Sequence, residues 1–222
     1  MARIIMMGPA GSGKGTQSVM ISKQYNIPII STGDLLRERI KMEDELGKKL
    51  NEEISKGLIV SLEIIMSILC SRLEMDDCQN GFILDGFPRT VEQAIELEKL
   101  LKQDNTAIDA VLVLDVPRDV VVKRISGRFE CKNCKQIYNK FYNNTKVDGI
   151  CDICGSNEFN VRKDDSNIAA INKRLDIYEE MSDKIIEYYN KKNLIFHVNA
   201  LKSIEEISQD IKNILINNIN KK

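Results

Sequence analysis

Apolar residues along this chain gather in short unbroken runs. Arg3–Met7 (RIIMM), Ile27–Ile30 (IPII), Phe82–Leu84 (FIL), Val111–Leu114 (VLVL) and Leu194–Val198 (LIFHV) are five of them. Runs of this length without alternation suit strands covered on both faces. Between them the apolar spacing becomes helical. Leu62, Ile65, Ile68, Leu69 and Leu73 share one face, and Ile204, Ile207, Ile211, Ile214 and Leu215 share another. Alternation of strand and helix predicts an α/β fold on a parallel sheet flanked by helices, with ligands at the carboxyl ends of the strands. One stretch departs from this rhythm. From Gly127 to about Asp164 the chain is turn-rich and weakly apolar, and it holds four of the six cysteines. It reads as a small insert unable to build a core of its own.

Composition narrows the function. The 222 residues carry 32 Lys+Arg against 33 Asp+Glu, a net charge of −1, whereas a general polyanion binder shows a basic excess. The chain has one histidine, which excludes a two-histidine zinc helix and argues against a Ser-His-Asp hydrolase. Six cysteines in this length are too few for a disulfide-dense secreted scaffold. The opening MARIIMMGPAG does not have the form of a signal peptide, and no stretch reaches the ~18 apolar residues of a membrane span. The expectation is a soluble protein of a reducing compartment, the cytoplasm.

Gly8-Pro9-Ala10-Gly11-Ser12-Gly13-Lys14-Gly15-Thr16 fits G-x-x-x-x-G-K between a predicted strand and a predicted helix, the setting a phosphate-binding loop requires. Backbone N–H groups turn around the anion, the helix N-terminus adds its positive end, and Lys14 carries a charge to the β and γ phosphates. The hydroxyl follows Lys14 by two places, at Thr16, rather than by one. Phe82-Ile83-Leu84-Asp85 delivers a carboxylate at a strand end, where such an Asp holds Mg²⁺. Val113-Leu114-Asp115 has the same form, but only Asp85 is followed by a turn and an arginine, Gly86-Phe87-Pro88-Arg89-Thr90. A helix cap or an ion pair is the plainer reading of Asp85.

Cys131-x₂-Cys134-x₁₆-Cys151-x₂-Cys154 has the spacing of a four-cysteine zinc site. Four thiolates leave no open coordination position, so the metal is read as structural Zn²⁺ that folds the insert. Iron suits the same ligands, and disulfides are the competing reading. Cys70 reads as a buried thiol in a helical pattern, Cys78 as a turn residue without a visible partner, and His197 as structural. Arg3, Arg39, Arg72 and Arg118 read as surface or ion-pair residues.

GPAGSGKGTQ, STGDLLR (Ser31–Arg37), DGFPRT (Asp85–Thr90) with Gln93, RISGR (Arg124–Arg128), and RKDD (Arg162–Asp165) with Lys173-Arg174-Leu175 together resemble the adenylate kinases. The resemblance runs in order over essentially the whole chain. It implies the P-loop nucleoside-triphosphate hydrolase-like fold with a five-stranded parallel sheet. On this reading residues 1–222 are a nucleoside monophosphate kinase core with an AMP-binding insert at 31–60 and a zinc-binding lid at 127–164. It implies the reaction Mg·ATP + AMP ⇌ 2 ADP, with ATP, AMP and ADP as partners, no nucleic acid, no membrane, and a monomer. Some members carry a Cys₄ zinc lid.

Carried across residue by residue, Gly11, Ser12, Gly13, Lys14, Gly15 and Thr16 match the ATP phosphate loop. Arg124, Arg128, Ile137, Tyr138 and the backbone of Lys202 match further ATP contacts. Thr32, Arg37, Leu58, Ile59, Val60, Gly86, Phe87, Pro88, Arg89 and Gln93 match AMP contacts, and Arg162 and Arg174 match arginines that span both nucleotides. Lys14, Asp85, Arg89, Arg128, Arg162 and Arg174 are the expected catalytic group. Two departures stand out: the usual Lys-Leu-Val-Thr-Asp reads Leu-Ile-Val-Ser-Leu at 58–62, and the gap from Arg162 to Arg174 is one residue longer than usual. The acceptor phosphate is already anionic, so the reaction needs positioning and charge cancellation rather than a base. The rivals are a UMP/CMP kinase or a GTP-dependent AMP kinase of the same family, and, remotely, a zinc-ribbon nucleic-acid binder with a vestigial P-loop. That last reading draws on Phe129, Tyr138, Phe141, Tyr142 and Phe159 as exposed aromatics.

Overall fold

The computed structural model describes residues 2–42, 44–55, 60–161, 165 and 167–219. Five strands, β1 (Ala2–Met7), β2 (Ile29–Ser31), β3 (Gly81–Asp85), β4 (Ala110–Asp115) and β8 (Ile195–Asn199), form one parallel sheet in the order β2-β3-β1-β4-β8. The unbroken apolar runs follow from burial on both faces. Ile5 and Met7, Phe82 and Leu84, Val111 and Val113 point to one side; Ile4 and Met6, Ile83, Leu112 and Leu114 point to the other. The first side is closed by α3 (Glu45–Ser55), α4 (Leu62–Leu73), α5 (Val91–Gln103) and α7 (Ile168–Asn190), through Leu50, Leu69, Leu97 and Tyr189. The second is closed by α1 (Lys14–Tyr25) and α8 (Ile204–Ile219), through Ile21, Ile207, Ile211 and Leu215.

The predicted strands are all present. β2 begins at Ile29 rather than Ile27 because Pro28 has no N–H to donate to a ladder, although its carbonyl accepts from Ile83 N at 2.9 Å. Of the two predicted helix faces, Ile65, Leu69, Ile207, Ile211 and Leu215 are buried and Ile68, Leu73 and Ile214 half-buried, while the first residues, Leu62 and Ile204, are exposed. Cys70 stands beside that stripe rather than in it: it is half-exposed and donates to Glu74 Oε1 at 3.5 Å. Cys78 is buried and partnered, with Arg72 Nη1 donating to its sulfur at 3.0 Å. Arg39, Arg72 and Arg118 make the expected ion pairs, with Asp44, Asp77 and Asp176.

The remaining helices, α2 (Thr32–Ile40) and α6 (Arg118–Ser126), both start at carboxyl ends of strands. From α6 the chain enters a separate antiparallel sheet of β5 (Arg128–Cys131), β6 (Ile137–Asn139) and β7 (Phe159–Asn160), ordered β6-β5-β7. This sheet and its turns form a cysteine module with its own small interior: Cys131, Tyr138 and Cys151, against Phe129 and Phe159. No described helix is long and apolar enough to cross a membrane.

Candidate active site

The carboxyl edge of the sheet opens into a cleft of about 1250 Å³. Its floor is the loop between β1 and α1. Gly8 (φ 146°) has no room for a Cβ, which would fall 2.6 Å from Ser12 Oγ, and Gly13 holds φ 102° at the start of α1. Three helix starts show how the loop differs from its neighbours. Ser31, Thr90 and Asn167 cap α2, α5 and α7 with their side chains, whereas α1 has neither a side-chain cap nor an acidic residue in its first turn. Its N–H groups are left for an anion.

Lys14 donates from Nζ to the carbonyls of Gly8 at 2.6 Å and Pro9 at 3.0 Å. Burial pulls its pKa down; Asp85 opposes this, while Arg128, Arg89 and Arg174 push it further down. A bound polyphosphate relieves that crowding of cations. Among the described residues, six cations line the cleft (Lys14, Arg37, Arg89, Arg124, Arg128 and Arg174), with Lys202 present by its backbone, against three carboxylates, Asp34, Asp85 and Glu205. On a chain of net charge −1, this is a local reversal of sign that selects an anion.

Each cation is held at a defined place. Arg89 donates from Nε to the Gly86 carbonyl at 3.0 Å, and its backbone N–H donates to Gln93 Oε1 at 2.7 Å. Arg124 reaches both ends of the floor, donating to Ser12 O at 3.4 Å and Ala200 O at 2.9 Å. Burial lowers the pKa of both guanidiniums, yet arginine stays charged at neutral pH. Arg128 forms a two-pronged bond to Asp165 at 2.7 and 2.8 Å, and Arg174 lies 3.5 Å from the same carboxylate, which is 1% exposed. Arg37 pairs with Asp34 on α2.

Of the residues singled out in the sequence, Gly11 to Thr16, Arg37, Asp85 to Arg89, Arg124, Arg128, Ile137, Tyr138, Arg174 and Lys202 all line this cleft. Thr32, Gln93 and Val60 stand behind its wall. Thr32 donates to the Gly86 carbonyl at 3.0 Å, Gln93 holds the Arg89 backbone, and Val60 is buried in the core. Leu58, Ile59 and Arg162 lie outside the described residues. Lys202 turns its amine away to Asp210 at 2.5 Å, leaving its backbone at the cleft. Asp115, the alternative to Asp85, is exposed and pairs with His197 Nδ1 at 2.9 Å, away from the cleft.

Sequence reasoning did not assign Tyr142, Tyr178 or Gln17 to the cleft. Tyr142 lines the cleft with its ring 5.5 Å from the Arg124 guanidinium. Tyr178 lines it from α7, and burial pushes its pKa up to about 12, so it stays a neutral phenol. Gln17 donates to Ile204 O at 2.9 Å, joining α1 to α8. Gln17 closes the quoted loop motif GPAGSGKGTQ, whereas Tyr142 and Tyr178 carry no spacing signal and only the fold brings them to the cleft.

The cysteine module is built from two matching turns. Cys131 N–H donates to Gln136 O at 2.9 Å and Cys151 N–H to Ser156 O at 2.8 Å; Lys135 N–H returns to Cys131 O at 3.0 Å and Gly155 N–H to Cys151 O at 2.9 Å. Lys135 (φ 62°) and Gly155 (φ 71°) make the same left-handed step after each pair. The four sulfurs lie within 4.8 Å of one another, with Cys131–Cys154 at 3.6 Å and Cys134–Cys151 at 3.5 Å. These separations are too long for S–S bonds. They approach the edge of about 3.8 Å that a tetrahedron with Zn–S of about 2.3 Å requires. The donor set therefore fits a thiolate-bound zinc.

A strand, a glycine-rich loop and an uncapped helix at the edge of a parallel sheet, ringed by cations, define a P-loop protein that grips phosphate chains. Comparison with known proteins sharpens the class. The family model for adenylate kinase matches residues 6–194. Proteins named adenylate kinase from Thermoanaerobacter sp. (strain X514) and Archaeoglobus fulgidus are each 43% identical, covering 96% of this chain and 97% of theirs. One from Clostridium acetobutylicum is 43% identical over 96% of this chain and 98% of its own length. The chain belongs to the adenylate kinase family.

Proposed function

We propose that the chain catalyses reversible transfer of the γ-phosphoryl group from Mg·ATP to AMP, giving two ADP. The observation that carries this reading is the convergence of Lys14, Arg89, Arg124, Arg128 and Arg174 on one cleft floored by the P-loop. At about 1250 Å³ the cleft exceeds the ~300–1,000 Å³ typical of a single small ligand. A phosphate oxygen of AMP attacks the γ-phosphorus of ATP, and the bond from that phosphorus to the β–γ bridging oxygen breaks. The acceptor oxygen is already ionised, so no proton has to be removed. Lys14 and the loop N–H groups hold the β and γ phosphates, while Arg89, Arg128 and Arg174 offset the charge spread over the transferring oxygens.

Gly11 to Thr16, Arg124, Arg128, the Ile137–Tyr138 backbone and the Lys202 backbone serve ATP in this reading. Thr32, Arg37, the 58–60 strip, Gly86 to Arg89 and Gln93 serve AMP, with Arg162 and Arg174 between the two. Tyr142 and Arg124 flank the base end of the ATP side. Asp85 and the Thr16 hydroxyl offer the hard oxygen donors that suit Mg²⁺, which neutralises charge on the phosphates when bound. The segment 31–60 acts as the AMP-side insert, and 127–164 acts as a lid stiffened by zinc that keeps water from the phosphoryl group. The enzyme works as a monomer in the reducing cytoplasm, where four free thiols remain available to a metal.

The nucleic-acid reading is not favoured: of its five aromatics Phe141 and Tyr142 are exposed, but Phe129, Tyr138 and Phe159 pack on one another at ring separations of 5.2–5.9 Å inside the module. A coupled assay with AMP, UMP, CMP and GMP as acceptors and ATP or GTP as donor tests the proposal. AMP with ATP is expected to be turned over at least tenfold faster than other pairs. A preference for a pyrimidine acceptor or for GTP would overturn it.

A further inference from the structure

Tyr138 was expected at the ATP side, but its ring points the other way. The ring is 2% exposed, stacked on Phe129 at 5.5 Å and edge-on to Phe159 at 5.9 Å. Its hydroxyl reaches the cysteine cluster, 3.3 Å from Cys151 Sγ, and accepts from Asp152 N–H at 2.8 Å. The direction of the sulfur bond follows from chemistry. With Asp152 N–H occupying the oxygen, the phenol proton is free to point at Cys151, and a thiolate ligand has no proton of its own to give.

We propose that Tyr138 is a positioning residue for the module's metal: its hydroxyl donates to the Cys151 thiolate and fixes that ligand's orientation and charge. This rests on reading the four cysteines as a metal site. Partners of this kind set the direction of a ligand and the electron density on it, and their loss costs about 10–100-fold in metal affinity. The same residue joins two surfaces. Tyr138 pairs with Phe129 across β5 and β6, and its strand lines the nucleotide cleft while its side chain braces the metal. Ordering at the metal is therefore transmitted directly to the backbone strip that faces ATP. The other ring of the inner cluster within reach of β5, Phe159, has no hydroxyl, so this bond is Tyr138's alone among these three aromatics.

The test compares full-length wild type with Tyr138→Phe, which keeps the ring and removes one oxygen. Zinc affinity is measured by competition with a chromophoric chelator, and Co²⁺ replaces zinc for absorption spectroscopy. The expected result is one metal per chain in both proteins, a 10–100-fold weaker affinity in the variant, and a thiolate-to-Co²⁺ charge-transfer band moved to lower energy. Affinity within twofold and an unmoved band would overturn the role of Tyr138. Wild type that binds no metal would overturn the metal reading and this one together. Should the variant not fold, ¹¹³Cd-loaded wild type answers the question: scalar coupling between the Tyr138 hydroxyl proton and ¹¹³Cd supports the bond, and its absence overturns it.

Discussion

The sheet core and the cysteine module border the same cleft but are held by different forces. The core buries Ile4, Ile5, Leu84, Val111 and Leu112 completely on the two faces of one sheet, and apolar burial of that extent needs no cofactor. Among the described residues, the module's hydrophobic interior is three buried side chains, two of them cysteines, with two half-buried phenylalanines against it. So small a core does not offset the ordering of its turns. The four thiols are what remain to close it. The comparison teaches where the rigidity of the cleft comes from. Its floor is held by apolar burial, whereas the module beside it is closed by a four-sulfur set that fits a metal.

Cys131→Ser should give the largest effect, because it breaks the module alone. Metal binding is expected to fall from one equivalent to none, with hydrogen-exchange protection lost in β5–β7 and retained in β1, β3 and β4. Identical metal content and unfolding would refute the division. Arg89→Ala should do the reverse, leaving both regions folded while lowering turnover about 10²–10³-fold, or ~3–4 kcal/mol of barrier. Near-normal kcat with an unchanged Tm would remove Arg89 from the chemistry.

Asp165→Asn probes the joint between the regions. It strips the buried carboxylate from Arg128 at the start of the module and from Arg174 on α7, and a broken buried pair costs about 3–5 kcal/mol. Urea denaturation is expected to show a loss near the lower end of that range, since Arg174 is partly exposed. Thr32→Val should be the mildest. It removes one bond to the Gly86 carbonyl, worth ~1 kcal/mol, and KM for AMP should rise a few-fold while KM for ATP holds.

The two regions also differ in how legible they were. Burial on both faces makes each core strand an unbroken apolar run, so all five could be read, and only at Pro28 was an edge displaced by more than one residue. The module was legible through cysteine spacing, not hydrophobicity, because its interior is mostly sulfur and aromatic rings. What escaped was direction. A strand alternates its side chains, so placing Tyr138 in a strip beside ATP did not reveal which way its ring pointed. Thr32 and Gln93 were found by motif, but the motif could not show that their side chains brace Gly86 and Arg89 from behind. Tyr142, between the two cysteine pairs, and Tyr178, on α7, are not motif residues themselves, and only the fold brings them to the cleft.

The central claim is that this cleft passes a phosphoryl group from ATP to AMP and not to water. Phosphorus-31 NMR of the enzyme with Mg·ATP and AMP tests it most directly. The expected spectrum shows AMP and the γ-phosphate of ATP disappearing together as two ADP form for each ATP consumed, with no inorganic phosphate, and the same mixture reached from ADP alone. Release of inorganic phosphate in step with ATP loss, or no exchange from ADP, would contradict it.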